Sequence, residues 1–139
     1  MGELISFISP SQVEQISTQF QLAGSQDAAD AVRMSASTGL SLQEILSLRW
    51  ENFDTDLGHI RMPASGNHPA VIDVPPPVIA ILRRRSSRQA GPFGALTSRR
   101  QLAKAKHDII IAFCRTCIQL GLSVLSFSSL RYSFIGATA

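Results

Sequence analysis

Two groups of cations are the residues here whose type and spacing suit chemistry with a polyanion: Arg83, Arg84, Arg85 and Arg88, then Arg99, Arg100, Lys104 and Lys106. Clustered guanidinium and ammonium groups fit a phosphate backbone, which arginine grips in a bidentate manner. The groups differ in their local energetics. The first falls at the C-terminal end of an expected helix, where cations complement the helix dipole and a solvated face is the simpler reading. The second falls in the opening part of a long expected helix, where positive charge opposes the dipole, and Arg100 and Lys104 share a face there. Cations kept against local helix energetics point to an external partner.

The cysteines offer less. Cys114 and Cys117 form a single C-x-x-C inside an apolar helical run. A redox pair needs a helix N-terminus to lower its thiolate pKa, and this pair lacks one. His107 shares roughly the face of Cys114, but no fourth zinc ligand accompanies it. The pair therefore reads as buried free thiols of a reduced, cytoplasmic protein, with no metal and no cofactor expected.

The elements that must position these groups are signalled locally. Ser9-Pro10-x-Gln12 opens a helix with a capping box and a proline at the first helical position; Val13, Ile16 and Phe20 follow at helical spacing. An alanine-rich helix is predicted over residues 27–37, ended by Gly39. Ser41-x-x-Glu44 is a second capping box, opening a short helix with Leu42, Ile45, Leu46 and Leu48 on its apolar side. Turn chemistry at residues 54–58 leads into strands at 59–62 and 70–74, joined by a loop at 64–69. Trp50 and Phe53 are expected to anchor this hairpin to the helices. A helix from the prolines at 75–77 through Arg88, a loop at 91–94, a helix over 98–120 closed by Gly121, and a last helix from about Ser126 complete the reading. The chain, 1–139, reads as a single domain of the α+β class, mainly helical, with five or six helices around one small hairpin.

Composition bounds the function classes. The 139 residues are 45% apolar, enough for a core. The longest apolar stretches, such as 109–113, fall far short of a membrane span, and the first residues lack a signal peptide's charged start. A net charge of +3 conceals an asymmetry: residues 1–74 carry three arginines against nine carboxylates, and residues 75–139 carry ten cations against Asp108 alone. Either the second half faces a polyanion, or the halves attract each other.

The stretch Thr38-Gly39-Leu40-Ser41-Leu42-Gln43-Glu44-Ile45-Leu46-Ser47-Leu48-Arg49-Trp50 resembles the first signature of the tyrosine recombinases, or phage integrases, T-G-L-R-x-x-E-L-x-x-L-R-W. Phe127-Ser128-Ser129-Leu130-Arg131-Tyr132-Ser133-Phe134 resembles the second, F-H-D-L-R-H-T-F. The elements between them follow the family's order, so the resemblance spans roughly residues 9–139. It implies a recombinase-like catalytic-domain fold and DNA breaking and rejoining through a covalent phosphotyrosine. In that chemistry two arginines clamp the scissile phosphate, a hairpin lysine protonates the leaving oxygen, histidines handle protons and a tyrosine attacks.

At the matching positions most of that machinery is replaced. Ser41 stands where the family has its first arginine, Ser128 where it has histidine, and Gly66 or Asn67 where it has the hairpin lysine. His68 stands nearby in the same loop. Arg131 keeps the second phosphate-binding arginine position and Glu44 the carboxylate after the first. Glu44 either completes the capping box with Ser41 or pairs with Arg131. Tyr132, the sole tyrosine, lies inside the second signature, so the nucleophile position is expected beyond this stretch. The resemblance implies a degenerate, C-terminally truncated domain that binds duplex DNA weakly and in a salt-dependent way, without cleavage of its own. Alternatives of other classes are a module that docks on a full-length recombinase or self-associates, to which Ile109, Ile110, Ile111 and Phe113 contribute apolar surface, a split enzyme completed in trans, and a decayed mobile-element fragment.

Overall fold

The structure, a computed structural model, describes residues 8–54, 58–62, 71–85, 88–94, 96, 98–122, 127 and 130. Among them the fold is α+β and mainly helical, with one small antiparallel sheet. Helices α1 (Pro10–Leu22), α2 (Gln26–Thr38) and α3 (Leu42–Ser47) precede a 3-10 turn at Trp50–Asn52. Strands β1 (His59–Arg61) and β2 (Val71–Asp73) follow, then α4 (Pro76–Arg84) and the long α5 (Arg99–Gln119).

Local chemistry starts the helices where the sequence predicts. Ser9 caps α1, its hydroxyl accepting the Gln12 N–H while the Gln12 side chain accepts the Ser9 N–H at 2.9 Å. The small faces of Ala28, Ala29 and Ala31 let α2 pack closely on α1, which contributes Val13, Ile16 and Phe20. Arg33 reinforces the pair from outside through Glu14 at 3.1 Å.

The link from α2 to α3 is built for burial. Gly39 takes φ +79°, the left-handed conformation that glycine adopts without strain. The Thr38 hydroxyl donates to the Met34 carbonyl at 2.6 Å and accepts the Leu40 N–H at 3.2 Å, while Ser35 donates to the Leu40 carbonyl at 2.7 Å. Those bonds satisfy backbone groups that would otherwise be stranded beside the fully buried Leu40. Leu42, Ile45, Leu46 and Leu48 then continue the core.

The hairpin is short. Ile60 pairs with Ile72 and both point inward, while an isolated bridge joins Ile60 to Phe53. The Phe53 ring lies 5.8 Å from that of Trp50, so this corner fastens the sheet to the helices as expected. Both strands are shorter than their predicted spans, and the loop of residues 63–70 lies outside the described residues.

Two expectations are corrected. First, α4 stops at Arg84 rather than at Arg88, because Arg85 turns into extended backbone (φ −83°, ψ 149°). Its side chain then reaches back to α2. Of the expected solvated face, Arg83 and Arg88 are exposed, whereas Arg84 and Arg85 form an ion-pair cluster. Asp30 of α2 is fully buried and accepts from Arg84 Nη2 at 3.2 Å, Arg85 Nη2 at 2.9 Å and Gln26 Nε2 at 2.8 Å. Arg85, only 15% exposed, also pairs with Asp27 and lies 4.2 Å over the Phe93 ring. Second, the cysteines divide. Cys117 is buried and Cys114 exposed, since the Ile109–Phe113–Thr116–Cys117 stripe of α5 faces the core and turns Cys114 outward. The last expected helix falls mostly outside the described residues, but Phe127 packs on Phe113 at 5.5 Å and Leu130 is fully buried, so both return to the core beneath α5.

Candidate nucleic-acid interface

Ser41 and Glu44 meet as a capping box at the start of α3. The Ser41 hydroxyl accepts the Glu44 N–H at 3.2 Å, and Glu44 Oε1 accepts the Ser41 N–H at 2.8 Å. Two donors that the helix itself cannot satisfy are thereby paired. The helix start thus uses the Ser41 side chain itself. Replacing Ser41 by alanine is expected to destabilise the protein by about 1 kcal/mol. Urea unfolding followed by circular dichroism reads that loss directly.

The cations of α5 separate into three environments. Arg99 and Arg100 are exposed in the first turn, have no carboxylate partner among the described residues, and share that turn with no acidic residue. Lys104 pairs with Asp108 one turn on, at 3.0 Å, so part of its charge is answered within the helix. Lys106 leans across to α3 and donates to Gln43 Oε1 at 3.1 Å. This last bond joins the predicted basic helix to the Ser41–Glu44 corner. Of the predicted site residues, the structure therefore brings Ser41, Glu44 and Lys106 to one corner, with Arg99 and Arg100 at the α5 start.

The start of α5 is set by the loop before it. The Trp50 N–H donates to the Ala90 carbonyl at 3.0 Å and the Leu96 N–H to the Leu46 carbonyl at 3.2 Å. Phe93 is buried beneath Arg85, and Ser98 caps α5 through the Gln101 N–H. Arg99 and Arg100 thus project from a helix start held by α3, the 3-10 turn and the arginine cluster.

No protein-family model matches this chain, and neither a curated protein nor a solved structure does. Arg131, Ser128, Tyr132, Gly66, Asn67 and His68 lie outside the described residues; of residues 127–134 the structure describes only Phe127 and Leu130.

Other features bear on the chemistry available. No group of three or more His, Cys, Asp or Glu among the described residues converges on a point that a metal would occupy. Burial, with the neighbouring Cys114 adding, pushes the Cys117 thiol up to about 11, which leaves it protonated near neutrality. An open cleft of about 410 Å³ lies between the α1–α2 turn and α5, and it carries Asp27 and Asp108 at its edge. No helix among the described residues is long and apolar enough to cross a membrane.

Sequence reasoning missed the Asp30–Arg84–Arg85 cluster. The available signal was the charge asymmetry itself, whose second explanation, attraction between the halves, applies to Arg84 and Arg85. It also missed His59, whose ring stands between Asp54, in the turn before it, and Asp73, across the sheet.

Proposed function

We propose that this chain is a degenerate tyrosine-recombinase-like domain that binds duplex DNA through the exposed, unneutralised start of α5 and does not cut it. The observation that carries the reading is the pair Arg99 and Arg100, exposed, without a carboxylate partner among the described residues, and at a helix end where positive charge is unfavourable. The recombinase likeness has separate support in how the first signature divides. Thr38, Gly39, Leu40 and Leu48, which match the family pattern, and Ile45, which stands at its leucine position, serve burial and the α2–α3 link. Ser41, where the pattern departs, stands at the arginine position that would hold a phosphate. A sequence that keeps the packing residues of a signature and loses its clamp fits a retained fold without the catalysis.

Binding carried by a few arginines is electrostatic, weak and poor in sequence preference. Fluorescence anisotropy with a labelled duplex at low salt is expected to show saturable binding at micromolar protein, weakening steeply as salt rises. Absence of binding under those conditions overturns the proposal.

A second reading, docking onto a full-length recombinase, is favoured by one observation. Ile110, Ile111 and Ile118 lie exposed along α5, the last at 75%. Co-elution with such a recombinase, lost in Ile118→Lys while DNA binding persists, distinguishes this reading from the first.

A further inference from the structure

His59 is the first residue of β1, and half of its side chain is exposed. Its two ring nitrogens each face a carboxylate. Nδ1 lies 2.8 Å from Asp54 Oδ2, in the turn before the strand, and Nε2 lies 3.2 Å from Asp73 Oδ1, directly across the sheet. A neutral imidazole has one N–H and one lone pair, whereas an imidazolium has two N–H donors. Ionised carboxylates only accept, so the Nδ1 hydrogen bond and the Nε2 ion pair are favourable together only while the ring carries both protons.

We propose that His59 is a pH-sensitive staple of the hairpin, which bridges Asp54 and Asp73 as an imidazolium and releases Asp73 when it loses a proton. Asp73 is the partner released because it has least to hold it. Its side chain is 93% exposed, against 30% for Asp54. Asp54 is also fixed from a second side, since its Oδ1 accepts the Gly58 N–H at 2.8 Å. The neutral ring therefore keeps its remaining proton on Nδ1 for Asp54 and turns a lone pair toward Asp73, and two acceptors at that distance repel.

The other charged group on the same face of β1 is Arg61, two residues on and opposite the uncharged Val71. Among the described residues the charged groups within ion-pair distance of the ring are Asp54 and Asp73. The staple has a lower limit as well. The His59 hydrogen bond, followed by the Gly58 N–H, holds the Asp54 carboxyl below its ordinary 3.8. A carboxylate with a depressed folded value contributes stability above 3.8 and loses it as pH falls through that lower value. The hairpin is thus stapled at both ends while the ring carries both protons, at Asp54 alone once the ring is neutral, and at neither in strong acid.

Amide exchange by NMR on the full chain tests this, with two reporters in place. The Val74 N–H, next to Asp73, donates to the Gly58 carbonyl at 2.9 Å, and the Gly58 N–H donates to Asp54. Between pH 5 and 8.5 the protection of the Val74 amide is expected to fall by roughly two- to fivefold, the effect of losing one exposed charged pair. The midpoint coincides with that of the His59 ring proton resonances, and Gly58 protection stays level. In His59→Gln the step vanishes. In Asp73→Ala the ring still titrates while the Val74 step is lost. Constant Val74 protection through the ring's titration overturns the proposal, as does a step that persists in His59→Gln. Neither outcome depends on DNA binding.

Discussion

Replacing Asp30 by alanine is expected to destabilise the protein by about 3–5 kcal/mol. Asp30 is fully buried and receives Gln26, Arg84 and Arg85. Without it, the guanidinium of Arg85 keeps Asp27 at the cluster's exposed edge but loses its buried counter-charge. Arg85 Nε is already buried without a partner, so the group has no spare hydrogen bonds to fall back on. Arg84, half exposed, turns to water and contributes little of the loss. Against a typical domain stability of about 5–15 kcal/mol, this change brings a large part of the population close to unfolding. Chemical denaturation measures it as a lower midpoint at unchanged slope. The double change Asp30→Leu with Arg85→Met removes both charges and is expected to recover most of the loss, because a buried pair replaced by packed apolar groups is often near neutral. If Asp30→Ala and the double variant are equally unstable, the interaction does not lie in the charge pair.

The second large effect is on binding. Changing Arg99 and Arg100 together to alanine is expected to weaken duplex DNA binding at least tenfold at low salt and to lower the slope of log affinity against log salt by about two units, close to 0.9 for each phosphate contact removed. Stability is expected to move in the opposite direction. Two cations leave a helix N-terminus, where each is unfavourable by about 0.3–1 kcal/mol, so the variant melts at the same temperature or slightly above the parent. Opposed changes in affinity and stability identify residues kept for a partner rather than for the fold. Lys104→Ala serves as the contrast, because its ammonium is already answered by Asp108 at 3.0 Å and is expected to reduce the salt slope by less than either arginine. Unchanged binding in the arginine double variant would remove the α5 start as the interface.

How much of this was legible before folding depended on the range of the forces involved. The helix starts at Ser9 and Ser41 and the left-handed stop at Gly39 were readable because each depends on residues within three or four positions. The bounds of α5 follow from the same short-range rules. The role of the arginines after residue 82 was not readable. Arg85 and Asp30 are 55 positions apart, and the dipole argument for a solvated face considered only the helix that carries the arginines. The cysteines show a related failure. α5 carries apolar residues on two sides, Ile109–Phe113–Cys117 and Ile110–Cys114–Ile118, and helical spacing alone does not choose which is buried.

By itself, then, the sequence determined the kind of fold, the placing of the helix caps, and the fact that positive charge accumulates after residue 75. Only the tertiary structure decided how that positive charge is used: Arg84 and Arg85 are spent on Asp27 and Asp30, Lys104 on Asp108, and Arg99 and Arg100 are left facing solvent. The physical reason is that charge in a sequence is a sum, whereas its action is set by distance and burial, and both depend on which helices the core brings together.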